Sequence, residues 1–347
     1  MGMIKVPTNS IDFFKKNIDE IFDTGNLAEG IWNSNLRQQF TKLSNAKYAI
    51  PFSSNGSGIL AILMILKEYR GYKNIFIQSN TMYGMKTTAV TSGLNYLGAV
   101  NCSLKSLMPS IEDVMSFVDN LDDPEGTVFL ISHIGGINNP DIAKIASFCN
   151  TKGIALIEDC AHSLGVTSHG KHSGTFGLAG IYSLYATKSI MAGEGGVAVT
   201  DDNDLASLIE RFIIYDRFEQ KNLIAVNFRI SEIQALFSYS VCNEIQSIIL
   251  DKSKIAKIYK QACDSKGIEF IDQDLDENKG NYYKFILKST DSNPFDLSKI
   301  ETKTSQVYDY SLGSDPESIV KKHICLPIWY GLEEVVVEKV VNEIYSI

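Results

Sequence analysis

The sequence has no apolar run long enough to cross a bilayer. Its longest, residues 59–66, falls far short of the roughly 20 residues a spanning helix needs. It has no paired cysteine motif either. The six cysteines, at 102, 149, 160, 242, 263 and 325, include no CxxC and no zinc-knuckle spacing, as expected for reduced thiols. The opening stretch MGMIKVPTNSIDFF shows no apolar h-region followed by small residues, so no secretion signal is expected. Basic residues are not in excess: 32 Lys and Arg against 41 Asp and Glu leave a net charge of -9, a poor surface for meeting nucleic-acid phosphates. Internal repeats and low-complexity tracts are absent. Together these absences predict a cytoplasmic protein with neither nucleic-acid nor membrane partners.

What is present is an ordinary globular composition. The chain has 347 residues, 44% hydrophobic and 21% charged, enough for one large domain or a large and a smaller one. Its first half alternates short apolar runs with helical stretches. Strands are predicted at 48–52, 75–78, 95–100, 127–132, 154–157, 180–185 and 197–200. Most are continuous apolar runs, as in strands covered on both faces. Helices are predicted over 58–69 and 140–152, the latter with Asn139 as N-cap and Pro140 at its first position. The alternation argues for an α/β domain around a mostly parallel seven-stranded sheet.

One connection is too short for that pattern. Only eleven residues, 186–196, join the last two strands, and they include Gly193, Gly195 and Gly196. A parallel crossover usually needs a dozen or more residues, mostly helix, so the final strand is expected to run antiparallel to the one before it, or not to lie beside it. Lys188 then lies in a loop at a strand's C-terminal end, where open α/β sheets place ligands. Beyond 203, helices are predicted over 205–218, 231–260 and 332–345, and strands over 269–271 and 282–288. DQDLDENKG, residues 272–280, reads as a solvated loop. The expected division is a large α/β domain over 1–240 and a small α+β domain over 241–347.

Four segments could contribute to one site. In PFSSNGSGILAIL, residues 51–63, a strand ends, a Ser/Asn/Gly turn follows and an apolar helix begins. The free amides and dipole of a helix start favour an anion, with Gly56 and Ser57 as donors. An ordinary capped helix is an equal alternative, and the turn matches neither GxxxxGK[ST] nor GxGxxG. In IALIEDCAHSLG, residues 154–165, a buried strand runs into Glu158 and Asp159, with His162 three residues on. A carboxylate there is costly to bury unpaired; helix capping by Asp159 and plain packing by His162 are the ordinary alternatives. In SLYATKSIMAGEGG, residues 183–196, Ser183 lies in the strand and Lys188 just past it. A partly buried lysine can lose its proton near neutral pH and attack a carbonyl. Most lysines snorkel to the surface instead, but Tyr182, Tyr185, Ala186 and Met191 leave no charged stripe here. In NFRISEIQALFS, residues 227–238, Asn227 and Arg229 precede a helix start, which suits ligand contact or plain loop polarity equally.

An anion-cradling turn, an acid at one strand end and a lysine at another are used together by pyridoxal 5′-phosphate (PLP), which needs phosphate donors, an acid on its pyridinium nitrogen and a Schiff-base lysine. At this point the sequence resembles the DegT/DnrJ/EryC1/StrS family, the PLP-dependent sugar aminotransferases of fold type I. Residues 154–200 carry the densest likeness, with EDCAHSLG, a glycine-rich spacer, SLYATK and GEGG in the family's order. SNGSGILAIL resembles its SNGTAALHLAL, NFRISEIQA its NYRMSEIQA, and HICLPIWYGLEEVVVEKVV its C-terminal segment. ISHIGGINNPD departs from the family's HLYGQPAD, and residues 270–320 carry no motif.

The resemblance implies that Lys188 is the Schiff-base lysine and proton shuttle, that Asp159 pairs with the pyridinium nitrogen, and that His162 lies against the ring or its phenolic oxygen. Gly56, Ser57 and Ser183 would hold the phosphate. Tyr83, in NTMYGMKTTAV, would stack on the ring. Asn227 would reach the cofactor of a partner subunit, which implies a homodimer with shared sites. The implied reaction moves an amino group from glutamate to a keto group of a nucleotide-linked deoxysugar, for polysaccharide or antibiotic-sugar synthesis. A PLP-dependent sugar dehydratase or deaminase is the alternative on the same scaffold, although one such relative replaces the Schiff-base lysine with histidine. A non-catalytic regulatory homologue is a third reading, against which the intact Lys188 and Asp159 stand.

Overall fold

In the computed structural model, which describes residues 5–219, 221, 224–275, 277–314 and 316–346, a seven-stranded sheet sets the geometry. Its order is Tyr48–Phe52, Gly196–Thr200, Ala179–Ser183, Ala155–Asp159, Thr127–Ser132, Asn74–Gln78, Asn95–Val100. Gly196–Thr200 is antiparallel to both neighbours and the remaining pairs are parallel. The mostly parallel sheet and its antiparallel return strand are thus both as expected. The return is turned by Gly193 and Gly195, at φ of +84° and +143°. Gly196 then runs so close to the start of helix Asn55–Arg70 that a Cβ on it would lie 2.6 Å from the Asn55 nitrogen.

The strands are apolar on both sides because helices cover both sides. Ile75, Ile77, Val128, Leu130 and Ile157 pack with helices Asn55–Arg70 and Asn203–Phe212. The alternating residues Phe76, Phe129, Ile131 and Leu156 meet helices Ile111–Val118 and Ile142–Thr151. Tyr182, Val197 and Val199 face Leu36 and Phe40 of helix Ile31–Ser44 and Leu236 of helix Glu232–Cys242. Another apolar cluster joins Tyr259 of helix Ile245–Lys266, the antiparallel pair Phe285–Lys288 and His323–Leu326, and Val340 of helix Glu334–Tyr345. Among the described residues, no helix is long and apolar enough to cross a membrane.

Helix Asn55–Arg70 begins at a reciprocal capping box between Ser54 and Ser57 and ends at Gly71, φ +75°. Several local expectations shift. The helix predicted over 140–152 starts at Ile142, because Asn139 Oδ1 accepts the Asp141 N–H at 2.8 Å and holds the preceding residues in a turn. The helix predicted over 205–218 is Asn203–Phe212; Tyr215 and Asp216, at φ of +62° and +50°, cannot continue it. The helix predicted over 231–260 is two, parted at Asn243, a residue that favours turns over helix interiors. Residues 272–280 are not a free loop: Asp274–Leu275 and Asn278–Lys279 form a hairpin that pairs with Thr167–Ser168. The strand predicted over 269–271 is a single bridge, Phe270 to Leu287, and that over 282–288 begins only at Phe285, after Tyr282 at φ +53°.

Candidate active site

Ala155–Asp159 and Ala179–Ser183 end side by side, and helix Asn55–Arg70 starts next to them. A cavity of about 400 Å³ lies there, lined among others by Asn55, Gly56, Asp159, His162, Ser183 and Lys188. Strand alternation sends the two adjacent acids to opposite sides. Glu158 is fully buried away from the cavity. It accepts the amides of Gly177 at 2.6 Å and Gly174 at 2.8 Å, and the His133 Nε2–H at 2.9 Å. His133 Nδ1 accepts the Asn139 amide at 3.0 Å, which fixes the proton on Nε2. Cys160 lies within 4.8 Å of these two groups, but their hydrogen bonds already occupy both imidazole nitrogens and both carboxylate oxygens.

Asp159 faces the cavity at 4% exposure. Its Oδ1 accepts Asn55 Nδ2–H and the Ala161 amide, each at 3.1 Å, and its Oδ2 accepts the Ser132 hydroxyl at 3.2 Å. Burial pushes its pKa above the ordinary carboxylate value, against the pull of these donors and of Lys188. Such an acid is poised to ionise against a cation entering the cavity. His162 is buried, and its Nδ1 accepts the Gly135 amide at 3.4 Å. Burial, aided by the charges of Lys188 and Lys284, holds its pKa well below the usual histidine value, so the ring is neutral. Lys188 Nζ donates to Tyr283 Oη at 3.3 Å.

The anion end is at Gly56. A Cβ there would meet nothing nearer than Ser54 Oγ at 4.0 Å, so the space around it is open. Ser183 is buried and lines the cavity, its Oγ accepting the Tyr185 amide at 3.3 Å. Ser57 is engaged within the cap: its hydroxyl accepts the Ser54 amide at 3.0 Å and donates to the Ser54 carbonyl at 2.9 Å. A helix start with open space at Gly56, a buried carboxyl group and an amine around one cavity form a set of groups that fits PLP.

Lys188, Asp159, His162, Gly56 and Ser183 therefore converge, with Ser57 directly behind. Tyr83, expected to stack on the ring, does not join them, and Asn227 is the residue expected at a partner subunit's site. Tyr83 is 57% exposed and meets Tyr310 edge-on at 5.9 Å, while Met82 and Met85 line the cavity. Asn227 is exposed outside the cavity, its Oδ1 accepting Arg229 Nε–H at 3.0 Å. Conversely, Asn55, Tyr283 and Tyr308 belong to the site and were not singled out from sequence. Asn55 stands inside the SNGSG turn. The tyrosines come from residues 270–320, where their local density, at 282, 283, 308 and 310, was the available signal.

On another side of Lys188 lies a smaller cavity of about 60 Å³, lined by Ser189, Lys252, Tyr283 and Trp329 among others. Lys252 is 3% exposed and donates to Ser189 Oγ at 3.1 Å; burial pushes its pKa down to about 7.

A model of the DegT/DnrJ/EryC1/StrS aminotransferase family matches residues 9–307. GDP-perosamine synthase of Vibrio cholerae is 25% identical over 280 residues, 79% of this chain and 73% of that protein. Among solved structures, the aminotransferase TlmJ from Streptoalloteichus hindustanus matches with a TM-score of 0.83 at 20% identity, over 99% of this chain and 98% of that one. DesI, in the presence of its TDP-sugar product, matches at 0.84 and 16% identity, over 98% and 90%. At these identities the two structures speak for the fold.

Proposed function

The chain belongs to the DegT/DnrJ/EryC1/StrS aminotransferase family and is a PLP-dependent aminotransferase; from that premise we propose that it moves an amino group from glutamate to a keto group of a nucleotide-linked deoxysugar, with Lys188 as the reacting amine. The observation that carries this reading is the meeting of Lys188, Asp159 and the open Gly56 around one cavity. The names of the relatives, a GDP-perosamine synthase and a DesI with a TDP-sugar product, support the substrate class.

When bound, PLP supplies an electron sink for the bond broken at the amino-bearing carbon. Gly56 and Ser183 would hold its phosphate, with Ser57 fixing the turn behind them. Asp159 would ionise beside the pyridine nitrogen and keep a proton on it, an exchange that relieves the cost of its burial. His162 would lie against the ring. Lys188 would take a proton from one carbon and deliver it to another, acting as base and then acid. Met82 and Met85 already line the cavity, whereas Tyr83 would have to leave Tyr310 to stack on the ring. Asn227 would serve the site of a second subunit in a homodimer. The large cofactor-binding part would span 1–240 and the small part 241–347, dividing just before the helix break at Asn243.

Loading the protein with PLP, reducing with borohydride and mapping peptides should find the cofactor on the peptide that holds Lys188. Lys188→Ala should carry none. Glutamate should bleach the visible band and release 2-oxoglutarate, after which a panel of nucleotide-linked ketosugars identifies the acceptor. A visible band unchanged in Lys188→Ala would reject the lysine's role; absence of 2-oxoglutarate would reject the donor.

A further inference from the structure

We propose that Tyr283 is a positioning residue for Lys188, its phenol oxygen taking and returning the lysine's proton across one hydrogen bond. The proposal rests on the reading of Lys188 as the reacting amine. It begins from contact: Tyr283 Oη lies 3.3 Å from Lys188 Nζ, and that nitrogen sits 4.9 Å from the centre of the same ring.

The chain invests several interactions in holding that ring. Asn281 acts as a bracket. Its Oδ1 accepts the Tyr283 amide at 2.9 Å, while its Nδ2 donates to the carbonyls of His162 and Leu164, each at 2.9 Å. Gln273 grips the residues on either side, accepting the Tyr282 amide at 2.9 Å and donating to the Lys284 carbonyl at 2.6 Å. Gly136 lets the backbones meet: a Cβ there would lie 2.7 Å from the Tyr283 nitrogen. The ring itself stacks on His162, 4.3 Å between centres and 26° between planes. Phenylalanine would fill the same space and keep the same stack. The hydroxyl is the part that packing does not require, and it is the part that touches Lys188.

The surroundings suit a phenol that ionises. Tyr283 is faced by Lys188 and Thr187 from the lysine loop, by Lys284 from its own segment at 5.4 Å from the ring centre, and by the neutral His162. Lys5 and Lys252 share the smaller cavity with it, and Tyr308 lies beyond His162. Burial raises the phenol's pKa, but Lys188 and Lys284 outweigh it and the net shift is downward. Tyr308 shows the contrast, since burial drives its pKa well up. The step is balanced within the pair: ammonium and phenolate become amine and phenol as one proton passes from Nζ to Oη, and its return reverses both.

The test uses the full chain labelled with 13Cζ-tyrosine, titrated by NMR before any PLP is added. The Tyr283 resonance is the one lost in Tyr283→Phe. It should titrate below those of Tyr282 and Tyr308, and Lys188→Met should move its midpoint up by about one pH unit, roughly tenfold in acidity. An unmoved midpoint overturns the proposal. In the PLP-loaded enzyme, Tyr283→Phe should lower kcat by about 10²-fold, leave the sugar KM within about threefold, and displace one limb of the pH–kcat profile. An unaltered kcat and profile overturn it as well. If Tyr283→Phe fails to fold, a second variant, Tyr283→Leu, or through-bond correlation of the ring carbon to the Tyr283 amide identifies the resonance, and the Lys188→Met titration still decides. The titration needs no turnover, so a chain that proved unable to transaminate would sink the proposed reaction without changing this result.

Discussion

At the strand ends, both oxygens of Asp159 and both oxygens of Glu158 have protein donors. Behind Lys188 the arrangement is different: the buried amine of Lys252 donates to one hydroxyl, that of Ser189, and burial sets its charge. The first region opposes burial with hydrogen bonds from the backbone and neighbouring side chains, and at Asp159 burial still raises the pKa against them. The second leaves desolvation almost unopposed. Polar groups of the first kind cost stability when removed, because their partners stay behind unsatisfied. A group of the second kind costs stability while it is present.

Three substitutions put that contrast to the test. Glu158→Ala should have the largest effect, stranding His133 and the amides of Gly174 and Gly177, and should lower unfolding free energy by about 4 kcal/mol in a denaturant titration. A loss under about 1 kcal/mol would show that the strand-end network is dispensable. Asp159→Asn keeps the shape but not the charge. It should leave the melting temperature nearly unchanged and reduce kcat by about 10²–10³-fold, so that two adjacent acids separate cleanly into one for stability and one for turnover.

Lys252→Met should do the opposite of Glu158→Ala and stabilise the protein. Folded, Lys252 releases its proton near pH 7; unfolded, near its ordinary 10.5. Between these values the unfolded chain binds more protons, so the wild type gains stability as pH rises through that window. The penalty is complete below pH 7. Lys252→Met should therefore gain most there, on the order of 3 kcal/mol, and the gain should shrink toward pH 10.5. A gain independent of pH would mean that Lys252 is not desolvated as the structure shows.

The strand-end region was also the legible one. Continuous apolar runs marked the strands because both faces are covered; Asp159 closes such a run, and Gly56 and Lys188 each follow one within about five residues. The short glycine-rich link announced the antiparallel return. Tyr283 was not legible, because its approach to Lys188 depends on a positive φ at Tyr282 and on Asn281 bridging to residues more than a hundred positions away. Tyr83 was expected inside and stands outside because helix Tyr83–Thr91 begins at that residue, while Met85, within it, is buried against the site. The break at Asn243 was hidden by apolar periodicity on both sides of it.

The close passage of Gly196 over the start of helix Asn55–Arg70 has a further consequence. The loop bearing Lys188 is closed by main-chain bonds from Leu184 to Gly195 and from Ala192 to Leu184, at 2.9 and 2.8 Å. Its exit then rests directly on the backbone where the anion end begins. The interval from the Cα of Lys188 to the helix start is thus gauged by peptide units, and the lysine's own stem is what stays adjustable. A vitamer without a phosphate would leave the start of helix Asn55–Arg70 with no anion to hold, and one with a longer arm would have to be taken up by the lysine stem alone.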